Sequence, residues 1–97
     1  MKYSLHPEAE SDLREAAEYY RERAGIALAQ AFFVEFEHAM QLLLQHPMLG
    51  AAWLRGKRRL VMKHFPYSIV YSAAGHDIQV LAIAHQSRRP GYWRSRK

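Results

Sequence analysis

The sequence predicts an α+β fold in the order β-α-α-β-β-β, with a helix hairpin packed on one face of a small, mainly antiparallel sheet. Between residues 7 and 45, apolar residues recur at steps of three or four, which is typical of helices. Beyond Gly50 they alternate with polar residues, which is typical of strands. The chain has 97 residues, of which 49% are hydrophobic, so we predict that residues 1–97 form a single domain.

The first strand and the first helix are predicted within the opening 25 residues. Lys2 to His6 alternates and carries Tyr and Leu, so it is predicted to be a short strand. Pro7 suits the first turn of a helix, where its missing N–H leaves no hydrogen bond unmade. The apolar residues that follow lie on one helix face, and Gly25 ends the helix.

A second helix is predicted from about Ala27 to Gln45. Its apolar stripe is dense, so we expect this helix to be the main core element. The stripe consists of Ala29, Phe33, Phe36, Met40 and Leu43, widened by Phe32 and Leu44. His46–Pro47 ends the helix, because a residue before proline disfavours the α conformation. The short break at Gly25 predicts that the two helices form an antiparallel hairpin.

A three-stranded antiparallel meander is predicted after Gly50. Its turns are Phe65–Tyr67, because proline cannot lie in a central ladder, and Ala74–His76. The tail from Gln86 to Lys97 is too polar and too rich in glycine and proline for regular structure throughout. The predicted strands are Leu60–Lys63, Ser68–Ser72 and Asp77–Ala84.

Several kinds of chemistry are excluded by residues that the sequence lacks. Without Cys there is no disulfide, thiolate metal site or Cys nucleophile. A glycine-rich phosphate loop, a G-x-S-x-G elbow and an H-E-x-x-H pair are also missing, and the six His residues lack metal-ligand spacing. We therefore expect neither a metal nor a cofactor. One face of the first helix is predicted to be a solvated acidic surface: Glu8, Asp12, Glu15, Glu18 and Glu22.

Localisation in the cytoplasm is predicted from the hydropathy pattern. The opening MKYSLHPEAESDL becomes acidic too early for a signal peptide. No apolar run approaches the roughly 18 residues that span a bilayer. The lack of Cys is compatible with a reducing compartment.

The formal net charge of +5 is divided unevenly along the chain. Up to Leu54, four basic residues face eight acidic ones, whereas the last 43 residues contain ten basic residues and one acid, Asp77. The two segments thus carry formal charges of −4 and +9. A segregated charge of this size indicates a polyanionic partner, although a basic surface that only keeps the protein soluble is the alternative.

The positive charge forms two clusters with aromatic neighbours. Arginine beside aromatic residues is typical of surfaces that bind phosphates and stack on bases, and equally of a groove that clamps an acidic amphipathic peptide. The first cluster is Arg55, Lys57, Arg58, Arg59 and Lys63, near Trp53, Phe65 and Tyr67. The second is Arg88, Arg89, Arg94, Arg96 and Lys97, with Tyr92 and Trp93 among them.

Four residues near these clusters have two open interpretations each. Trp53 is either a core residue or part of a binding surface. Tyr92 and Trp93 either contact a partner or fold back to cover the sheet. His85, at the end of the last strand, is either a proton-transfer residue or a hydrogen-bonded strand-end histidine.

Several motifs, taken in order, resemble the RelE/ParE superfamily of type II toxin–antitoxin toxins, often called plasmid stabilisation proteins. They are H-P-E-A-E-S-D-L followed by Tyr19–Tyr20, then H-P-M-L-G, R-R-L, F-P-Y-S-I-V-Y and V-L-A-I-A-H-Q-S-R-R-P. The fold of that family agrees with the β-α-α-β-β-β prediction. The resemblance implies a small cytosolic protein that arrests growth when it is free. It also implies a cognate antitoxin whose acidic amphipathic C-terminal segment binds the toxin, and whose complex binds promoter DNA through the antitoxin.

The superfamily offers two activities, and the resemblance favours the one without catalysis. RelE-like members cleave mRNA on the ribosome without a metal, whereas ParE-like members poison DNA gyrase. Cleaving members often carry Arg where Ser68 stands here, and two alternating Lys where Arg59 and Val61 stand. Loss of one charged donor typically costs on the order of 10²–10³ in rate. We therefore favour a ParE-like gyrase poison, and whether the protein is an enzyme stays open at this point.

Two alternatives remain, a RelE-like endoribonuclease and a non-toxic RNA-binding module. The catalytic candidates of the nuclease are His85, Arg89, Tyr92, Arg59 and Lys63. The residues predicted to bind the antitoxin or the target are Arg55, Lys57, Arg58, Arg59, Lys63, Arg88, Arg89, Tyr92, Trp93 and Arg94.

Overall fold

The computed structural model describes residues 2–75, 77–87 and 96. Two helices pack on a five-stranded, mostly antiparallel sheet, which confirms the predicted α+β class. None of the helices among the described residues is long and apolar enough to cross a membrane. In chain order the elements are β1 (Lys2–Leu5), α1 (Pro7–Ala24), α2 (Ile26–Gln45), β2 (Ala51–Ala52), a 3₁₀ turn (Leu54–Gly56), β3 (Arg58–Val61), β4 (Tyr67–Ala74) and β5 (Asp77–His85).

The strand order of the sheet is β1-β5-β4-β3-β2. From β2 to β5 every neighbouring pair is antiparallel, as the predicted meander requires. The first strand lies parallel to the last one, with Lys2 opposite Asp77 and Leu5 opposite Val80. β1 and β5 are the first and last strands in sequence, so the helix hairpin and strands β2 to β4 lie between them along the chain.

The observed strands differ from the predicted ones at their ends. β3 spans Arg58–Val61, so it begins and ends two residues before the predicted strand, and β4 begins at Tyr67, which the sequence places in the preceding turn. Residues 62–66 connect the two strands, and the N–H of Met62 donates to the carbonyl of Tyr67 at 2.9 Å across the base of this turn. The two-residue β2 and the 3₁₀ turn were not predicted, because elements this short carry no periodicity. His76, part of the predicted second turn, lies outside the described residues.

Both ends of α1 follow the local sequence. The Nδ1 atom of His6 accepts the backbone N–H of Glu8 at 3.1 Å and so caps the first turn. Pro7 occupies the first turn, as predicted. Gly25 joins the helices at φ 95°, a conformation that favours glycine, and its N–H bonds to the carbonyl of Arg21 at 3.0 Å.

The core lies between the helices and one face of the sheet, and α2 supplies much of it. Phe32 is fully buried and contacts three aromatic rings at centroid distances of 5.0–5.6 Å: Tyr20, Phe65 and Tyr67. Phe33, by contrast, is 39% exposed, which corrects its assignment to the buried stripe. The stripe follows steps of four and three residues, through Phe32, Phe36, Met40 and Leu43.

The loop after α2 is held by the hydroxyl group of Tyr71. This hydroxyl donates to the carbonyl of Pro47 at 2.7 Å and accepts the N–H of Gly50 at 2.9 Å. A Cβ atom at Gly50 would lie 2.7 Å from that hydroxyl and 3.0 Å from the carbonyl oxygen of Arg59. Only glycine fits at this position, because any side chain would collide with Tyr71 and with the backbone of β3. This explains why the H-P-M-L-G motif ends in glycine.

We expect Gly50→Ala to destabilise the protein by about 1–3 kcal/mol, because the backbone of β3 cannot yield to the new methyl group as a side chain would. Urea unfolding measures the effect. Leu49→Ala, at the neighbouring 49% exposed residue, serves as the control and should change stability much less. Equal midpoints for the Gly50 variant and the parent chain would contradict the close contact.

Candidate functional site

The first basic cluster lies at one edge of the sheet. Its members follow one another through the 3₁₀ turn, β3 and the turn after β3: Arg55, Lys57, Arg58, Arg59 and Lys63. Arg55 and Lys63 are exposed, and the other three are half-buried. Their surroundings differ, so they do not form one uniform positive surface.

The turn that carries Arg55 has an unusual backbone. It is closed by a 2.7 Å hydrogen bond from the N–H of Trp53 to the carbonyl of Lys57. Arg55 adopts φ 57° and ψ 41°, and Gly56 follows at φ 76°. A left-handed conformation costs a non-glycine residue roughly 1–2 kcal/mol. The fold thus holds an exposed arginine in a strained position, a feature that is common at binding sites.

Arg59 is positioned by the ring of Trp53. Its guanidinium carbon lies 3.8 Å from the centroid of that ring. Arg59 is paired with Val70, on the sheet face opposite the helices, and Trp53 packs there against a small buried cluster that includes Val70. Trp53 therefore acts both as a packing residue and as a platform for a cation. Within the part of the chain that the structure describes, the buried Nε–H of Arg59 has no hydrogen-bond partner.

Arg58 is engaged inside the fold. It pairs with Tyr71 on the helix-facing side, and its Nη1 donates to the carbonyls of Gly50 at 2.7 Å and Met48 at 3.3 Å. These bonds fix the loop after α2, to which the hydroxyl of Tyr71 is also bonded. The contacts give Arg58 a structural role in addition to the binding role predicted for it.

Glu35 of α2 holds the turn after β3. Its Oε2 accepts the N–H groups of Lys63 at 2.6 Å and His64 at 3.1 Å, and its Oε1 lies 2.7 Å from Nδ1 of His64. Burial acts to raise the pKa of Glu35, but the hydrogen bonds from His64 and Lys63 outweigh it and lower the pKa below its usual value. Sequence reasoning missed Glu35, because its partners lie 28 and 29 residues away.

We expect Glu35→Gln to reduce stability at neutral pH by roughly 1–3 kcal/mol, because a charged acceptor of three hydrogen bonds is lost. A lowered folded-state pKa stabilises the protein above the unfolded value of 4.5, and this stabilisation disappears as pH falls through the folded-state pKa. The difference between variant and parent should therefore shrink below pH 4.5. Urea unfolding at several pH values measures it, with Glu22→Gln on the exposed face of α1 as the control. A difference that is independent of pH would contradict this role.

A groove of about 400 Å³ lies between α2 and β3, and we call it the α2–β3 groove. Leu42, Leu49 and Val61 line it and are 45–49% exposed, which is unusual for large apolar side chains. Its charged and polar lining groups are His38, Lys63, His64 and the carboxylate of Glu35, which is already bonded to the turn after β3. β2 pairs only with Arg58 and Arg59, so the outer edge of β3 at Leu60 and Val61 has no strand partner among the described residues.

A second groove continues along α2 toward its first turn. It has a volume of about 720 Å³ and shares Glu35 and His64 with the α2–β3 groove. Val34, 53% exposed, and Phe65 contribute to its lining. Apolar surface therefore extends along α2 on both sides of the Glu35–His64 contact.

His85 lies on the other side of the sheet from Arg59. It pairs with Tyr67, whose ring meets the imidazole edge-on at 5.0 Å, and Tyr67 belongs to the helix-facing core. The Nδ1 atom of His85 accepts the N–H of Ser87 at 3.0 Å and lies 2.8 Å from its hydroxyl oxygen. Of the residues predicted for a nuclease site, Arg59 and His85 therefore lie on opposite faces of the sheet.

Several predicted site residues fall outside the part of the chain that the structure describes. These are Arg88, Arg89, Tyr92, Trp93 and Arg94. Ser68, which stands where cleaving toxins often carry arginine, is buried and paired with Val61 and Ala84. Among the residues described, no cluster of three or more His, Asp or Glu side chains could hold a metal ion.

Comparison with known proteins decides between the families that share this fold. The model of a family described as the ParE toxin of the type II toxin-antitoxin system, parDE, matches residues 3–90. The chain belongs to the ParE toxin family. The resemblance predicted from the sequence motifs, and its ParE-like leaning, are thereby confirmed.

The fold of this ParE family member recurs in a solved structure. A chain described as the chromosomal ParDE TA system from P. aeruginosa is 24% identical to it, with a TM-score of 0.77. The likeness covers 88% of this chain and 95% of that one. It shows that the two chains share the helix hairpin and sheet arrangement. A search of curated proteins gives no match.

Proposed function

We propose that this protein is a growth-inhibiting toxin that poisons DNA gyrase when free and is neutralised by a cognate antitoxin. The observation that carries the proposal is the match of the ParE toxin family over residues 3–90. The separation of Arg59 and His85 on opposite sheet faces supports it, because a RelE-like reaction needs its charged groups around one phosphate. The action is thus one of binding rather than catalysis, in the cytoplasm where gyrase works.

The α2–β3 groove is the proposed docking place of the antitoxin. Its apolar walls suit an amphipathic segment, and the unpaired edge of β3 offers backbone groups to an added strand. The positive charge of Lys63 at the rim, with Arg55 and Lys57 on the same edge, favours acidic side chains in that segment. Promoter DNA would be bound through the antitoxin.

Expression of the chain alone in a bacterium tests the toxin proposal. We expect growth to stop, with loss of plasmid supercoiling or DNA breaks. Transcripts mapped in parallel should stay intact, whereas cleavage within translated codons would favour the ribosome-dependent endoribonuclease. Unimpaired growth would contradict both toxin functions and leave a simple RNA-binding module.

We expect Val61→Asp to prevent neutralisation without removing toxicity. Val61 is 49% exposed, so the change costs little folding stability, but it places a carboxylate in the groove that an acidic segment must fill. Affinity for the antitoxin should fall by at least about 30-fold, or about 2 kcal/mol. Calorimetry with purified antitoxin measures it, and co-expression shows whether growth is rescued.

The matched control is Ile26→Asp at the tip of the helix hairpin, where the side chain is 63% exposed and lies outside the groove. It should bind the antitoxin as the parent does. Normal neutralisation of the Val61 variant would place the antitoxin elsewhere.

We expect Arg59→Lys to weaken toxicity, because lysine keeps the charge but loses the planar group that rests on Trp53. The cation–π contact, worth roughly 0.5–2 kcal/mol, holds the guanidinium in place, so its loss should lower the affinity for the target by no more than about 30-fold. Growth inhibition at graded inducer levels measures the effect. Arg55→Lys, which has no such ring contact among the described residues, should behave as the parent, and equal toxicity of all three chains would refute the role of the stack.

A further inference from the structure

A cavity of about 220 Å³ lies between α1 and the paired ends of β4 and β5, and we call it the α1–β5 cavity. Among the described residues, it shares no lining side chain with the two grooves along α2, so it is a separate feature of the molecule. One wall belongs to α1 and the other to the two strands. The polar side chains that line the cavity are Asp12, Glu15, Tyr19, Tyr67 and His85.

The hydroxyl of Tyr67 is the first sign of a missing ligand. Tyr67 is only 9% exposed, yet its hydroxyl has no hydrogen-bond partner in the described part of the chain. Burial raises the pKa of this hydroxyl, and Tyr20, Tyr19 and Asp12 raise it further. Because Tyr19 and Asp12 line the cavity, the hydroxyl lies close to it. Hydroxyls so placed normally have a partner, so this one is available to a ligand.

The two carboxylates of the cavity differ in their surroundings. Asp12 is 13% exposed, accepts the N–H of Ile83 at 3.1 Å, and pairs with Arg96 at 2.7 Å. It therefore does not belong to the solvated acidic face that the sequence predicts for α1. Glu15 is exposed and has no ion-pair partner among the residues described. Since Arg96 balances Asp12, the carboxylate of Glu15 leaves the cavity with a negative charge in excess.

His85 and Tyr19 also suit a positively charged ligand. Nδ1 of His85 accepts the N–H of Ser87 at 3.0 Å, so this nitrogen carries no proton and the imidazole is neutral. Tyr19 is 49% exposed, and its ring already carries the guanidinium of Arg23 at 4.6 Å from the centroid. Aromatic faces attract cations in this way. Neither Lys nor Arg is among the described residues that line the cavity.

We propose that the α1–β5 cavity binds a single organic cation, a guanidinium or ammonium group on a short apolar stem. Glu15 pairs with its charge, the hydroxyl oxygen of Tyr67 accepts one of its N–H groups, and the ring of Tyr19 contacts the cation. A volume of about 220 Å³ suits one lysine or arginine side chain, since pockets for whole drug-sized ligands measure about 300–1,000 Å³. The net charge of +5 predicts acidic partners elsewhere, so this site has the opposite preference and does not depend on the proposed function.

Propylguanidinium, which reproduces an arginine side chain, tests the cavity on the purified 97-residue chain. Propylurea has nearly the same shape without the charge and is the matched probe. In an NMR titration, the amide signals of Ile83 and His85 should shift saturably with propylguanidinium. Propylurea should bind at least about tenfold more weakly, because hydrogen bonds to a charged group are the stronger ones. Equal binding of both probes, or shifts confined to other parts of the chain, would overturn the cation site.

Two variants test the groups that hold the cation. Glu15→Gln removes the charge, and Tyr67→Phe removes only the hydroxyl while the ring keeps its place in the core. Each should weaken the binding of propylguanidinium by about three- to tenfold. Glu22→Gln, at an exposed acid of α1 outside the cavity, is the matched control and should bind as the parent does.

The Glu15 variant keeps the test decisive if Tyr67→Phe folds poorly, because Glu15 is exposed and its change leaves the core intact. Unchanged affinity in Glu15→Gln would overturn the cation site. Unchanged affinity in a folded Tyr67→Phe variant would overturn the part assigned to the hydroxyl.

A third probe identifies the source of the cation. N-acetylarginine methylamide presents the same guanidinium on a peptide backbone. If it binds as tightly as propylguanidinium, the backbone stays outside the cavity, and the natural ligand is a basic side chain of a protein partner. If the added backbone abolishes binding, the ligand is a free amine or guanidine. Either result supports the cation site, whereas failure of both guanidinium probes to bind would refute it.

Discussion

The packing of α2 against one face of the sheet is the constraint on which the rest of the structure depends. Phe32 and its neighbours on α2 need an apolar surface wide enough to bury them, and β4 and β5 supply it with Ile69, Tyr71 and Ile78. The burial of this face fixes which residues of each strand point inward. It also decides that Arg59 and His85 point in opposite directions, since their strand partners belong to opposite faces.

β5 and β3 each have one edge that a neighbouring strand covers only in part, and the uncovered parts differ in their surroundings. Beside β5, the carboxylate of Asp12 accepts the N–H of Ile83 and the guanidinium of Arg96 donates to the carbonyl of Leu81, in place of a strand. Beside β3, two residues of β2 are the only strand cover among those described, and an apolar groove lies next to the open part. An unpaired edge is a liability in a monomer, because it templates association. Under the proposed function, the same open edge is the place where a strand of the antitoxin would add to the sheet.

The positive charge of the second half is distributed among distinct roles. Arg58 and Arg96 are bonded to carbonyls and carboxylates inside the fold. Arg59 is fixed on an aromatic ring, and Arg55 and Lys63 are left to solvent. Within the described part of the second half, a formal count of charges therefore overstates the cationic surface, and the exposed cations Arg55 and Lys63 lie on the edge that borders the groove.

Periodicity and turn residues determined the helix hairpin, the strand sequence and the α+β class, because these depend on contacts between neighbours in the chain. Gly25 and Pro7 marked the limits of α1 for the same reason. Three features join residues that are 28 to 84 positions apart. They are the parallel pairing of β1 with β5, the ion pair of Asp12 with Arg96, and the hydrogen bonds of Glu35 to the turn after β3. Only the tertiary structure decided them, since a hydrogen bond between distant residues depends on the final packing and leaves no periodic trace in the sequence.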